Sequence, residues 1–280
     1  MELRVSLSLL VLLLGLCEAM PFMSGVDYDI FTHEPEDTDL TTQILTANKD
    51  SEELLVEGDV AVQLQRNAVS CFFCKWKKSA NGLVEVPMTI SPDFSFYDRM
   101  KIEKAMLTFH EQTCVRFVPR STEVDYLSLE NGRGCHSYIG RAGGMQVVSL
   151  NRYYCVYNSI IQHELNHALG FYHEHTRADR DQYVKIHWEY IDPESKYNFN
   201  KQFGNTLGTP YEYSSVMHYG RTAFSNQNGK SAITTIPDPT VSIGQAQGLS
   251  TTDILRINKL YGCCKYACMM DAEVCMYDGC

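Results

Sequence analysis

The string His163-Glu164-Leu165-Asn166-His167-Ala168-Leu169-Gly170-Phe171-Tyr172-His173 decides how the rest of the chain is read. On a helix, side chains four positions apart project from one face, one turn from each other, so His163 and His167 aim two imidazole nitrogens at a common point. A Zn2+ ion accepts such nitrogens at bonds of roughly 2.0–2.1 Å. Glu164, one residue along, is turned away from the metal and toward a water bound to it. Gly170 permits a left-handed turn that ends the helix, so the chain doubles back and offers His173 as a third ligand. Three protein ligands leave one position open, which marks a catalytic rather than a structural zinc site. The chemistry expected from this set is peptide-bond hydrolysis. Zinc acidifies its water and polarises the scissile carbonyl, while Glu164 takes the proton and later delivers it to the leaving amine. The competing reading, histidines satisfied inside an ordinary core, does not account for these fixed spacings.

Outward from the string, the predicted elements are those of an α+β domain. Ser159–Phe171 is expected to be helical, opened by Ser159 and Gln162 as a capping box. Upstream, Val84–Ile90 is strand-like, and Asp98–Gln112 sets Ile102, Ala105, Met106 and Phe109 at helical spacing. Short runs at Val115–Phe117, Val124–Leu129 and Met145–Leu150 read as strands, the last preceded by the turn Gly140–Gly144. Downstream, 190–249 lacks a regular pattern. Ser250–Tyr261 closes the domain as a helix, with Ser250 and Asp253 as its capping pair and Ile254, Ile257 and Leu260 on one face. The expected architecture has an N-terminal half with a twisted mixed sheet and two helices. The C-terminal half is mostly irregular and ends in the final helix, and the cleft lies between the halves.

The net charge of −10 resolves by segment. Residues 20–66 carry 11 acidic and two basic side chains, whereas 67–280 carry 21 of each. No basic stripe of the kind that binds nucleic acid is present, and no apolar run reaches the roughly 18–20 residues of a membrane span. Met1–Ala19 reads as a secretory signal: Arg4 supplies the basic start, Leu7–Leu16 the apolar stretch, and Cys17-Glu18-Ala19 the small residues of the cleavage site. Ten cysteines remain once Cys17 is removed, an even number suited to disulfides in an oxidising compartment. Residues 20–66 read either as a propeptide removed between Arg66 and Asn67 or as a permanent disordered arm; composition alone supports both. Cys264, Cys268, Cys275 and Cys280 form a Cys-rich tail over 264–280, read as a small disulfide knot.

Together with Ser214-Ser215-Val216-Met217-His218-Tyr219, the histidine string resembles the metzincin zinc endopeptidases. Glu174 after the third histidine, Gly140–Gly144, and the run from His173 to Asp181 are similar to astacin-family patterns, over about residues 67–263. The resemblance implies a zinc endopeptidase with one Zn2+ per chain, held by His163, His167 and His173, and with Glu164 as base. Met217 would form the floor beneath the zinc. Tyr219 would be a displaceable fifth ligand that stabilises the oxyanion. Glu174 would meet the new N-terminus at Asn67 through a water-assisted contact. Val56-Glu57-Gly58-Asp59 resembles the family's propeptide motif, in which an Asp takes the water's place on zinc; Val56 departs from the usual aromatic. The resemblance pairs Cys135 with Cys155, and Cys114 with Cys263, where the adjacent Cys264 leaves the choice open by one residue. It also suggests an extra pair, Cys71 with Cys74, as in the fish hatching-enzyme-like group.

The expectation is therefore a secreted, zymogen-activated zinc endopeptidase. Its implied partners are protein substrates, egg-envelope glycoproteins above all, and an activating protease. A digestive or tissue-remodelling protease of the same group is the alternative, and an inactive zinc-binding secreted module a more distant one, because Glu164 is intact.

Overall fold

The computed structural model describes residues 38–62 and 74–263. In chain order these form α1 (Leu40–Asn48), β1 (Leu55–Val56), β2 (Val60–Ala61), β3 (Val84–Ile90), α2 (Phe96–Gln112), β4 (Val115–Pro119), β5 (Tyr126–Glu130), β6 (Cys135–His136), β7 (Met145–Leu150), α3 (Asn158–Ala168), β8 (Val184–Ile186), β9 (Ile233–Thr235) and α4 (Thr251–Tyr261). The signal segment, Arg66, Asn67, Cys71 and the tail cysteines lie outside the described residues.

The first half is a five-stranded mixed sheet in the order β4-β3-β5-β7-β6. Four strands run parallel and only β6, at the edge, runs antiparallel to its neighbour β7. Parallel neighbours require a crossover, and α2 supplies the one between β3 and β4. Its buried residues, Ile102, Ala105, Met106 and Phe109, recur at i, i+3, i+4 and i+7 and give the helix one apolar face. These join Val86, Leu127, Leu129, Ile160 and Leu165 in a single core that α3 and α4 also enter. The helix opens two residues before the predicted start, because Ser95 caps it and Asp98 returns the bond.

The predicted capping box on α3 is absent. Its N-cap is Tyr157, without a side-chain bond. Gln162 instead faces inward: its amide donates to Ala105 O and Thr108 Oγ1, both at 3.0 Å, and its carbonyl accepts from Leu249 N. A buried amide that spans three segments has no reach left for a local cap.

The second half, 174–249, has a short antiparallel ladder, β8 with β9, and several turns of 3-10 helix. Side chains replace ladders there. Arg180 is buried and donates to the carbonyls of His175 and Phe199, and Arg221 donates to Val241 O. A separate apolar cluster forms around Ile186, Phe199, Tyr211, Tyr219 and Ile233. Two disulfides close the domain, Cys114–Cys263 and Cys135–Cys155, so Cys263 and not its neighbour partners Cys114. Cys74 is also disulfide-bonded.

Over 38–62 the acidic arm is not a disordered chain. Asp39 caps α1, whose Leu40, Thr41, Ile44 and Asn48 are buried. The Asn48 side chain pairs with the backbone of Cys135 as a strand would, accepting from its N–H and donating to its carbonyl, both at 2.7 Å. Residues 59–61 then run parallel to the β6 edge: Ser137 N donates to Asp59 O and Ala61 N donates to Ser137 O. Docking also fixes the other wall. Gly220 N donates to Thr41 Oγ1, and a Cβ at Gly220 would collide with the Asp39 carboxylate. Sequence reasoning missed this order because α1 has too few apolar residues to announce itself, and its contacts with Cys135, Gly220 and Gly244 are remote in sequence.

Candidate metal centre and active site

Helix α3 is buried along almost its whole length and carries His163, Glu164 and His167. It ends at Ala168, and Gly170 adopts a φ of 109°, a conformation that side chains rarely tolerate. The chain then doubles back and brings His173 to the other two rings, with centroid distances of 4.7, 5.1 and 4.7 Å. Each ring is oriented through its Nδ1. His163 donates to Val216 O at 2.8 Å, His167 to Phe171 O at 2.7 Å, and His173 to Glu57 Oε2 at 2.8 Å. Their Nε2 atoms therefore converge, and Asp59 completes the group: one atom from each of the four residues lies within 4.8 Å of all the others. The Asp59 oxygens stand 3.1 Å from His163 Nε2, 3.4 Å from His167 Nε2 and 3.3 Å from His173 Nε2.

These residues fit a metal cation. Glu57, Asp59 and Glu164 are three buried carboxyl groups around three imidazoles. Neither Glu164 oxygen, nor Asp59 Oδ1, nor His167 Nε2 has a hydrogen-bond partner among the described residues. Polar groups buried in this way are costly unless a charge compensates them. The protein electrostatics divide the site. Burial lowers the His173 pKa, but Asp59 and Glu57 outweigh it and raise it to about 9, whereas burial takes His167 down to about 4. Burial likewise pushes the Glu164 carboxyl well above its usual range, and the charge of Asp59 adds to the shift.

The surrounding residues follow from the same loops. Met217 is buried, its N–H donates to Ser215 Oγ, and its carbonyl accepts from Glu174 N. Tyr219 packs edge-on to His173 and stacks on His175 at 3.7 Å, and its hydroxyl donates to Glu57 O. Glu174 is held by Arg256 through two bonds of 2.7 and 2.8 Å and by Glu212 N at 2.8 Å, with Arg177 at 3.3 Å. A cavity of about 400 Å3 opens beside Glu174, and Gln202, Met217 and Arg256 are among its walls.

Sequence reasoning named the histidines, Glu164, Asp59, Met217, Tyr219 and Glu174, and these residues are neighbours in space. It missed Glu57, Gln202, His175 and Arg256. Glu57 stands inside a motif already singled out, yet nothing in that motif tells which way its carboxylate turns.

The peptidase family described as "Astacin" matches residues 74–262. High choriolytic enzyme 1 of Oryzias latipes is 50% identical over 260 residues, covering 91% of this chain and 96% of that protein. Low choriolytic enzyme of the same fish is 50% identical over 234 residues, covering 82% and 86%. Among solved structures, high choriolytic enzyme 1, described as a hatching enzyme zinc-protease from Oryzias latipes, aligns with a TM-score of 0.67 at 55% identity, over 71% of this chain and 98% of that one.

Proposed function

The chain belongs to the astacin family of zinc metalloendopeptidases, and from that premise we propose that it is a secreted, zymogen-activated hatching enzyme that digests egg-envelope proteins. The observation that carries the zymogen reading is Asp59, brought by the arm into the centre of the three histidines. The substrate class rests on the relatives: choriolytic enzymes about half identical to this chain over nearly all of its length.

On this reading 1–19 is a signal peptide and 20–66 the prosegment. Residues 67–263 are the catalytic domain, and 264–280 a Cys-rich tail. The pair Cys71 and Cys74 staples the start of the mature chain. His163, His167 and His173 hold Zn2+, and Asp59 fills the position that substrate and water need. An activating protease cuts between Arg66 and Asn67, the arm leaves, and the new N-terminus approaches Glu174 from the cavity beside it, where a water bridges the remaining gap.

Bound zinc would supply a Lewis acid for the scissile carbonyl and an acidified water. The protein does the rest. Burial raises the proton affinity of Glu164, which suits a group that must take a proton and return it to the leaving amine. Departure of the arm frees the Tyr219 hydroxyl from Glu57 O, leaving it to donate to the developing oxyanion. Met217 and the Ser214–Tyr219 turn support His163 from below through Val216 O.

The test uses protein matured at Asn67 on isolated egg envelope and on casein, with Glu164→Ala as the blank. Swelling or solubilisation of the envelope by the wild type alone is the expected result. Cleavage of casein with the envelope untouched would move the substrate to a digestive or tissue-remodelling class. Equal activity in the Glu164→Ala protein would overturn its role as base.

A further inference from the structure

Two of the three histidines are oriented by the domain that carries them. Val216 O and Phe171 O accept from His163 Nδ1 and His167 Nδ1. The third is different: His173 Nδ1 donates to a carboxylate, and that carboxylate, Glu57, comes from the arm. Glu57 is 2% exposed and adopts a φ of 51°, a left-handed conformation disfavoured for a residue with a side chain. Four contacts hold it there. Besides His173 Nδ1, its carboxylate accepts from His173 N at 3.4 Å and from Gln202 Nε2 at 2.7 Å, and its carbonyl accepts from the Tyr219 hydroxyl. Gln202 is itself fixed by its N–H to Thr176 O at 2.7 Å.

We propose that Glu57 is an outer-shell residue of the metal centre, lent by the prosegment: it orients His173 and makes the zinc site of the full-length chain tighter than that of the matured enzyme. A histidine that donates its far nitrogen to a carboxylate is a stronger and better-aimed metal ligand than one without such a partner. Loss of the partner typically lowers metal affinity by about 10–100-fold. Glu57 is thus a positioning residue that acts through His173, distinct from Asp59, which faces the Nε2 side of all three rings. The prosegment grips the third histidine from both sides, and maturation removes both groups together. The inference rests on the reading that the three histidines hold zinc.

The experiment is a zinc-affinity measurement on the full-length chain, by competition with a chromophoric chelator. Glu57→Ala is expected to bind zinc about 10–100-fold more weakly than wild type. Glu57→Gln keeps the size and loses the charge, and is expected to bind several-fold more weakly even if the alanine variant does not fold. The decisive comparison repeats both in an Asp59→Asn background. If Glu57 acts through His173, the loss persists there; if it serves only to keep Asp59 docked, the loss vanishes. Unchanged affinity in both Glu57 variants, or a loss that disappears with Asp59→Asn, overturns the proposal. A wild type that takes up no zinc would instead sink the reading of the three histidines.

Discussion

Two helices, α2 and α4, begin with the same local device. Ser95 and Asp98 form a capping box at the start of α2, and Ser250 and Asp253 form one at the start of α4. In each, the serine hydroxyl accepts from the third backbone N–H while the aspartate accepts from the serine N–H, satisfying donors the helix cannot use itself. Their surroundings separate them. Asp98 has one further partner outside the box, Arg152 at 3.2 Å, and both side chains are partly exposed. Asp253 is buried and reaches across to the turn beneath the metal centre, accepting from Ser215 Oγ at 2.6 Å and Val216 N at 2.9 Å. Val216 O in turn accepts from His163 Nδ1. At α2 the box only starts a helix; at α4 the same box also holds the turn beneath the candidate site, which the β8–β9 ladder does not include.

The sharpest way to break the comparison is Asp253→Ala. It leaves the Ser250 cap in place but removes the bond to the Ser250 N–H, worth about 1 kcal/mol, and strands two buried donors at about 1–3 kcal/mol each. An overall loss of about 3–7 kcal/mol is expected by urea unfolding, together with weaker zinc binding through His163. Ser215→Ala comes next. It orphans Met217 N and one oxygen of Asp253, at about 2 kcal/mol, again with reduced zinc affinity. The smallest effect is expected for Asp98→Ala: about 1 kcal/mol for the lost bond to the Ser95 N–H, little from the surface pair with Arg152, and unchanged zinc binding. Should Asp98→Ala match Asp253→Ala in both readouts, the contrast between the two boxes would be wrong.

The legible parts of this molecule are those set by short spacings. The two histidines on α3, the cap of α4 and the apolar face of α2 each follow from residues a few positions apart. Gly170 is readable for the same reason: for His173, six residues after His167, to meet the two helix histidines, the chain must turn back at once. What escaped notice is fixed by partners far along the chain. Gln162 looked like a cap because its distance from Ser159 was right, but its true partners are at Ala105, Thr108 and Leu249. Arg256 drew no notice in the sequence and is a buried partner of Glu174, 82 residues away. The ordering of the arm belongs to the same class. Its few apolar side chains bury against a wall already built by the catalytic domain, and no local pattern reports the shape of that wall.

Gly220 gives these contacts a consequence in time. Its backbone is not among the left-handed glycines, and the nearest atoms a side chain would strike all belong to Asp39. On the proposed activation, departure of the arm would remove that contact. Alanine at 220 is then expected to harm the full-length chain more than the matured enzyme, and a survey of tolerated substitutions begun only after maturation would understate the constraint on this position.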